Sequence, residues 1–148
     1  MKEANNRQTQ AKILRNFRKL HRITGAALFV FFFIVAITGT LLGWKKNSSG
    51  LIMAKSYEGN STNLKDWLSI DSLHQKACAY LRDSVSKDLS TEIDRIDIRK
   101  EKGMVKFTFT KHFTGLQLDG STGNILHIEK RRADYIEKIH DGSIIDFY

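Results

Sequence analysis

The chain has 148 residues with one Cys, no Pro and a formal net charge of +8. This length allows one small domain with an appendage and excludes a multidomain enzyme. Cys78 alone cannot form an internal disulfide, and the Cys and His residues lack the spacing of a structural zinc site. Ordinary apolar burial is therefore expected to hold the fold.

The positive charge lies in the first third of the chain. Residues 1–46 contain nine Lys and Arg residues and a single acid, Glu3, which accounts for the whole of the +8. The remaining 102 residues contain fifteen bases and fifteen acids. A nucleic-acid-binding domain would carry its own basic patch, so this distribution argues against nucleic acid as a partner.

Residues 23–44 form an uncharged run of 22 residues, ITGAALFVFFFIVAITGTLLGW. At about 1.5 Å per helical residue the run reaches roughly 33 Å, enough to cross a hydrocarbon core of roughly 30 Å. We predict a transmembrane helix over 23–44, preceded by a basic cytoplasmic segment over 1–22. The alternative of a cleaved signal peptide is disfavoured, because the run is long and residues 43–46 offer no small-residue cleavage site.

The flanking charges predict the direction of this span. Seven bases precede it, whereas only Lys45 and Lys46 follow it closely. The positive-inside rule therefore places the N-terminus in the cytoplasm and the residues after 46 outside.

Small residues share one face of the predicted helix. Rotations of 100° per residue place Gly25, Ala36, Gly39 and Gly43 within an arc of about 100°. Gly39 and Gly43 form a small-xxx-small pattern, which predicts packing against other membrane helices or a second copy. His21 falls on the same stripe at the cytoplasmic end, where it suits either a partner helix or cofactor, or contact with interfacial water.

Residues 45–68 are rich in Ser, Gly and Asn and are predicted to form a linker. Over residues 69–85 the apolar side chains recur at helical spacing, which predicts an amphipathic helix that covers a sheet. His74 and Cys78 are four residues apart and flank its apolar face. They suit either a soft-metal pair or a packed Cys beside a His at the rim, and two ligands alone do not make a metal site.

Beyond Asp88 the apolar period changes to two and predicts four short strands. Residues that accept turn dihedrals separate the first and the last pairs, so an antiparallel meander is expected. The alternate positions are polar, which leaves the second face of the sheet to water or to a protein partner. The predicted inward positions are Ile96, Ile98, Val105, Phe107, Phe109, Leu116, Leu118, Leu126 and Ile128.

Residues 131–148 are predicted to form an amphipathic C-terminal segment. Helical spacing runs through Ile136 and Ile139 to His140, and apolar residues follow it. No run after Ile145 is long enough to cross a membrane, so the segment is expected to approach the membrane surface.

Three motifs together resemble the family of PepSY-associated transmembrane proteins of bacterial inner membranes. Residues 18–25 (RKLHRITG) and 38–44 (TGTLLGW) look like the family's first helix. Residues 118–126 (LDGSTGNIL) are similar to the turn of a PepSY domain, and residues 139–142 (IHDG) look like its His-x-Gly element. The resemblance implies an α+β fold, with one N-terminal transmembrane helix and a small PepSY-like periplasmic domain over residues 69–130 in which a helix packs on an antiparallel sheet.

The same resemblance implies a link to iron acquisition. Larger members of the family include ferric-siderophore reductases that bind haem b through His residues at helix ends, and His21 and His140 occupy the corresponding motif positions. A bis-His site needs both residues at one membrane depth, whereas a span of roughly 33 Å separates these two. Three alternatives follow: the chain is part of a longer protein, it pairs with other helices, or it has the scaffold without the haem.

The sequence therefore leaves two alternative hypotheses for the function. The first is a part of a membrane redox or ferric-siderophore uptake system, with haem held between partner helices. The second is a non-enzymatic accessory subunit whose periplasmic domain binds or restrains another envelope protein. The sequence contains no independent catalytic constellation that would favour a third.

Overall fold

The computed structural model describes residues 2–147, and the side chains of residues 7–146. The fold is α+β, with a long N-terminal helix and a four-stranded antiparallel sheet. The chain divides into two compact units, with the boundary between Thr40 and Leu41. The helices are α1 (Lys2–Trp44), α2 (Ile70–Tyr80) and α3 (Arg132–His140), and the strands are β1 (Ile93–Arg99), β2 (Met104–Phe109), β3 (Thr114–Asp119) and β4 (Ile125–Lys130).

The first helix is continuous over its 43 residues. The chain contains no Pro that would interrupt it. At 1.5 Å per residue its length is roughly 64 Å, about twice the thickness of a hydrocarbon core. The predicted basic segment and the predicted span thus share one helix within the described residues, and that helix is long and apolar enough to cross a membrane.

The second helix confirms the amphipathic pattern. Ser69 caps it, because its side-chain oxygen accepts a hydrogen bond from the backbone N–H of Ser72 at 3.1 Å. Leu73, Ala77 and Leu81 are fully buried against the sheet. The helix continues into a π-helical turn over Leu81–Val85.

The sheet confirms the predicted meander, with the strand order β1-β2-β3-β4. Val105 lies opposite Leu118, and Phe107 lies opposite Leu116, in the antiparallel register of β2 and β3. These four side chains and Phe109 are fully buried and form the sheet's side of the core.

Three of the predicted inward positions, Ile98, Leu126 and Ile128, differ in the structure. Ile128 of β4 is 40% exposed. In β4, Ile125 pairs with Leu118 and His127 pairs with Gln117, so Leu126 is bulged out of the register. Because of this bulge, Ile125 packs against the core where Leu126 was predicted to do so. In the edge strand β1, Ile98 is 53% exposed although it follows the same alternation as Ile96.

Residues 45–68 are held against the sheet and do not form a free linker. The backbone N–H of Tyr57 donates to Oε1 of Gln117 at 3.1 Å, and Nε2 of Gln117 donates to the carbonyl of Lys55 at 2.9 Å. The apolar residues of an irregular segment do not recur at a regular spacing in the sequence. The composition of residues 45–68 therefore suggested a linker. We call residues 52–60 the covering segment.

The second face of the sheet is therefore largely closed, although the sequence left it open to water or to a partner. Gln117 is 1% exposed and Glu129 is 4% exposed. One oxygen of Glu129 accepts from Nε2 of Gln117 at 2.8 Å, and the other forms an ion pair with Lys106. Every buried side-chain polar atom of the described residues has a hydrogen-bond partner. The alternation predicted which side chains are polar but not what would cover them.

The third helix confirms the helical part of the predicted C-terminal segment. Arg131 precedes it and is buried, with ion pairs to Asp94 at 3.0 Å and to Asp134 at 2.6 Å. The backbone N–H of Ala133 donates to the carbonyl of Ile52 at 3.1 Å. The start of α3 is thereby fixed to both β1 and the covering segment.

Replacing Gln117 by Leu is expected to release the covering segment. The change leaves the N–H of Tyr57 and the carbonyl of Lys55 without their partners, which should lower the free energy of unfolding by about 1–3 kcal/mol. Trypsin should then cut after Lys55 faster than in the parent protein. Timed proteolysis of the full chain in detergent measures this. Gln75→Leu, the same change at an exposed position of α2, is the control, and equal cleavage rates in the two variants would contradict the role of Gln117.

Candidate functional site

The small residues of α1 form one stripe on a regular helix. An ideal Cβ built at Gly25 or at Gly43 meets no atom within 4 Å. Ala36 is exposed, and Gly39 is half-buried. Two helix backbones approach closely where such residues face each other, so this stripe is the part of α1 best suited to a second helix.

His21 lies four residues before Gly25 on the same stripe of α1, and it is exposed. A helix packed on the stripe would therefore pass beside its imidazole.

His140 is the last residue of α3 and is half-buried. It belongs to the compact unit that begins at Leu41, whereas His21 belongs to the unit that ends at Thr40. Asp141 caps the helix, and Gly142 follows with φ of +81°, a left-handed conformation that favours Gly at the end of a helix. Hydrogen bonds from Ser143 lower the pKa of Asp141. The His-Asp-Gly motif is thus also a helix terminus.

Haem needs an imidazole nitrogen that is aimed into an apolar cleft. His21 is exposed on the face of α1 that suits a second helix, and it would hold haem only together with such a partner. The apolar walls and the second ligand would have to come from that partner. His140 is half-buried at the end of α3 and belongs to the other compact unit.

His74 and Cys78 are brought together, with Nε2 and Sγ 3.0 Å apart. Burial raises the pKa of the Cys78 thiol, and the charge of Arg82 opposes this only in part. A raised pKa disfavours the thiolate, which is the form that acts as a nucleophile. The described residues contain no group of three or more His, Cys, Asp or Glu side chains that could hold a metal ion. Cys78 packs against the core beside His74.

Sequence reasoning missed a cavity of about 200 Å³ between the covering segment, the polar sheet face and α3. Its walls include the Lys106–Glu129 pair and Gln117, together with Arg99, whose Nη1 donates to Oγ of Ser56 at 2.5 Å. These polar groups bind one another and the covering segment, so they stabilise the fold. The polar alternation of the strands was the one sequence signal for this layer.

Asp119 connects the predicted PepSY-like turn to the covering segment. Its Oδ1 accepts from the backbone N–H and from Oγ of Ser121, both at 2.8 Å, and its Oδ2 accepts from the N–H of Asn60 at 3.1 Å. Burial works against ionisation of Asp119, but the hydrogen bonds from Ser121, Asn60 and Thr122 outweigh it and lower the pKa. The turn therefore has a structural role.

Packing beside this turn is equally close. An ideal Cβ at Gly120 would lie 2.4 Å from the ring of Trp67. The indole Nε1 of Trp67 donates to the carbonyl of Ser61 at 2.9 Å. Residues that the sequence assigned to the linker and to the turn thus form one packed surface.

Comparisons of this chain with protein-family models, with curated proteins and with solved structures found no match.

The Asp119→Asn variant tests the hydrogen bonds around the turn. Since folding lowers the pKa of Asp119 from an unfolded value near 3.9, its contribution to stability is present above that value and is lost as the pH falls through the folded pKa. We expect the variant to lose about 1–3 kcal/mol of unfolding free energy at neutral pH. The difference in unfolding free energy between the variant and the parent protein should become smaller below about pH 4.

Urea unfolding of the full chain in detergent at several pH values, followed by circular dichroism, measures this difference. The exposed Glu101→Gln variant is the control for removal of an acid. The prediction would be contradicted if the difference in unfolding free energy between Asp119→Asn and the parent stayed constant down to about pH 3.

Proposed function

We propose that this chain is a bacterial inner-membrane protein of the PepSY-associated kind. In this proposal α1 crosses the membrane with its N-terminus in the cytoplasm, and the unit that begins at Leu41 forms a PepSY-like domain in the periplasm. The observation that carries the proposal is α1, a 43-residue helix whose large apolar side chains, such as Phe29 and Phe33, are exposed. Water is a poor solvent for such a helix, and a bilayer is a good one.

The protein serves a membrane redox or ferric-siderophore uptake system. Support comes from the three family-like motifs. Within that system α1 contacts other membrane helices, or a second copy, through the stripe of Gly25, Ala36, Gly39 and Gly43. Open space at Gly25 and Gly43 is available for that contact.

Haem b, when bound, supplies one-electron transfer. His21 would hold it at the cytoplasmic end of α1, where the packing stripe brings a partner helix beside the imidazole. His140 would offer a ligand on the periplasmic side. Because the two residues lie at opposite ends of the proposed span, each site would need its second ligand from a partner.

The second candidate function is that of a non-enzymatic accessory subunit. It is favoured by the polar groups of the domain, since Gln117, Glu129, Lys106 and Asp119 bind one another or the covering segment. The buried polar side chains of this domain stabilise its fold, so a partner would contact the exposed surface of the domain. In this case the periplasmic domain binds or restrains another envelope protein.

Cysteine labelling tests the proposed topology. In a Cys78→Ser background, Gln8→Cys places a thiol before the span and Lys87→Cys places one at an exposed position of the domain. A membrane-impermeant maleimide should label the second variant in intact spheroplasts and the first only after lysis. Labelling of Gln8→Cys in intact spheroplasts, or of both variants only after lysis, would contradict the topology.

A spectrum separates the redox function from the accessory function. We expect the full chain, purified in mild detergent from its native membrane, to show the reduced-minus-oxidised absorbance of haem b. His21→Ala should remove that signal, and His140→Ala should weaken it. His127→Ala, at a residue whose ring lies 4.7 Å from that of Tyr57 between centroids, should leave the signal unchanged. A stoichiometric protein partner without haem would instead favour the accessory subunit.

Under either function Gly39→Leu should reduce the amount of partner that co-purifies, because a large side chain separates the two helix backbones. Ala27→Leu makes a similar change on the far side of α1 and is the control. Co-purification that is equal in the two variants would argue against the packing stripe.

A further inference from the structure

A second cavity, of about 280 Å³, opens at the surface between β4, the β2–β3 turn and α3. The rings of Phe113 and Tyr135 meet edge to face in its wall, with centroids 5.2 Å apart. The side chains that line it are aromatic, basic or hydroxyl-bearing, with no acid among them: Phe113, Thr114, Lys130, Arg131, Arg132 and Tyr135.

The three bases of this wall differ in their roles. Arg131 is buried, and its charge is matched by Asp94 and Asp134. Lys130 and Arg132 are exposed at the rim. Nη1 of Arg132 donates to the carbonyl of Leu51 at 3.0 Å, a contact that uses one of the five guanidinium donors. Two cations therefore stand beside an aromatic surface, an arrangement that suits an anion attached to an apolar group.

The cavity is fixed close to the point where the chain leaves α1. Leu51 is the seventh residue after Trp44, the last residue of that helix, and it is 57% exposed. Ser48 folds this stretch, because its Oγ donates to the carbonyl of Lys45 at 2.7 Å and accepts from the N–H of Ile52 at 3.0 Å. All of these residues belong to the compact unit that begins at Leu41.

Hydrogen bonds connect the same stretch to α3. The carbonyl of Leu51 accepts from Arg132, and the carbonyl of Ile52 accepts from the N–H of Ala133 at 3.1 Å. We call the side chains of Leu51, Phe113, Lys130, Arg132 and Tyr135 the interface patch. Trp44 marks the membrane surface in the proposed topology, and Leu51 is the seventh residue after it, so a short stretch of chain connects that surface to the patch.

We propose that the interface patch binds phospholipid headgroups of the periplasmic leaflet. Lys130 and Arg132 contact the lipid phosphates, and Leu51, Phe113 and Tyr135 occupy the boundary between headgroups and acyl chains. Aromatic side chains with a polar edge prefer this boundary, and a base near an anionic lipid surface is attracted to it. The inference rests on the proposed function, because it requires α1 to span the membrane.

Fluorescence quenching in bilayers tests the patch directly. In a Cys78→Ser background, an environment-sensitive fluorophore is attached at Thr114→Cys, which lines the cavity, or at Lys65→Cys, an exposed position outside it. The full chain is placed in nanodiscs of phosphatidylethanolamine and phosphatidylglycerol that contain a lipid with a nitroxide on its headgroup. We expect severalfold stronger quenching at position 114 than at position 65. Equal quenching would overturn the proposal.

Charge removal tests the contact with phosphate. The double variant Lys130→Gln/Arg132→Gln should weaken the docking equilibrium by roughly 10- to 30-fold, which appears as a loss of quenching at position 114. The matched control Lys87→Gln/Lys100→Gln removes two exposed bases elsewhere in the same unit and should keep the quenching. Quenching that survives the first double variant would overturn the assignment of these two residues.

Extraction with alkaline carbonate separates failure of the patch from failure of the span. A protein that stays in the membrane pellet but shows no quenching at position 114 would retain the proposed span and lose the patch. A protein that carbonate releases would refute the span, and the patch proposal with it.

Discussion

The side-chain amide of Gln117 is the contact on which the domain outside α1 depends. Its oxygen accepts from the N–H of Tyr57, and its nitrogen donates to the carbonyl of Lys55 and to Glu129. An amide offers a donor and an acceptor in one plane, so Gln117 binds the covering segment as a neighbouring strand would. Because Gln117 is almost completely buried, water cannot replace these bonds, and their loss leaves polar groups stranded.

Closure of the polar sheet face changes which surfaces are open to partners. Under the covering segment the buried Glu129 forms an ion pair with the half-buried Lys106, and removal of Lys106 would leave the carboxylate without its cation. A partner that bound this face would first have to displace the segment and hydrate that pair. The surfaces that remain for recognition are the small-residue stripe of α1 and the surface of the domain, which includes the interface patch.

Sequence reasoning predicted the parts of the fold whose residues repeat with a regular period. The length of the uncharged run indicated α1, the spacing of Leu73, Ala77 and Leu81 indicated α2, and alternation indicated the four strands. It did not predict the covering segment, since hydrogen bonds between an irregular backbone and Gln117 or Asp119 leave no periodic trace. Of the candidate site, the sequence named the residues of the packing stripe and the two histidines. The cavity beside α3 escaped it because that cavity combines residues from Phe113 to Tyr135 with no common motif.

The charge distribution explains how a neutral domain can still bind an anionic surface. Residues 47–148 carry equal numbers of acids and bases, and at physiological ionic strength screening acts over about 8 Å, so the domain has no long-range attraction for polyanions. Lys130 and Arg132 attract an anion at short range, because the cavity wall around them contains no acidic side chain. A short hydrogen-bonded tether from the end of α1 raises the effective concentration of lipid at these two bases. Selectivity for the membrane then comes from the position of these two bases.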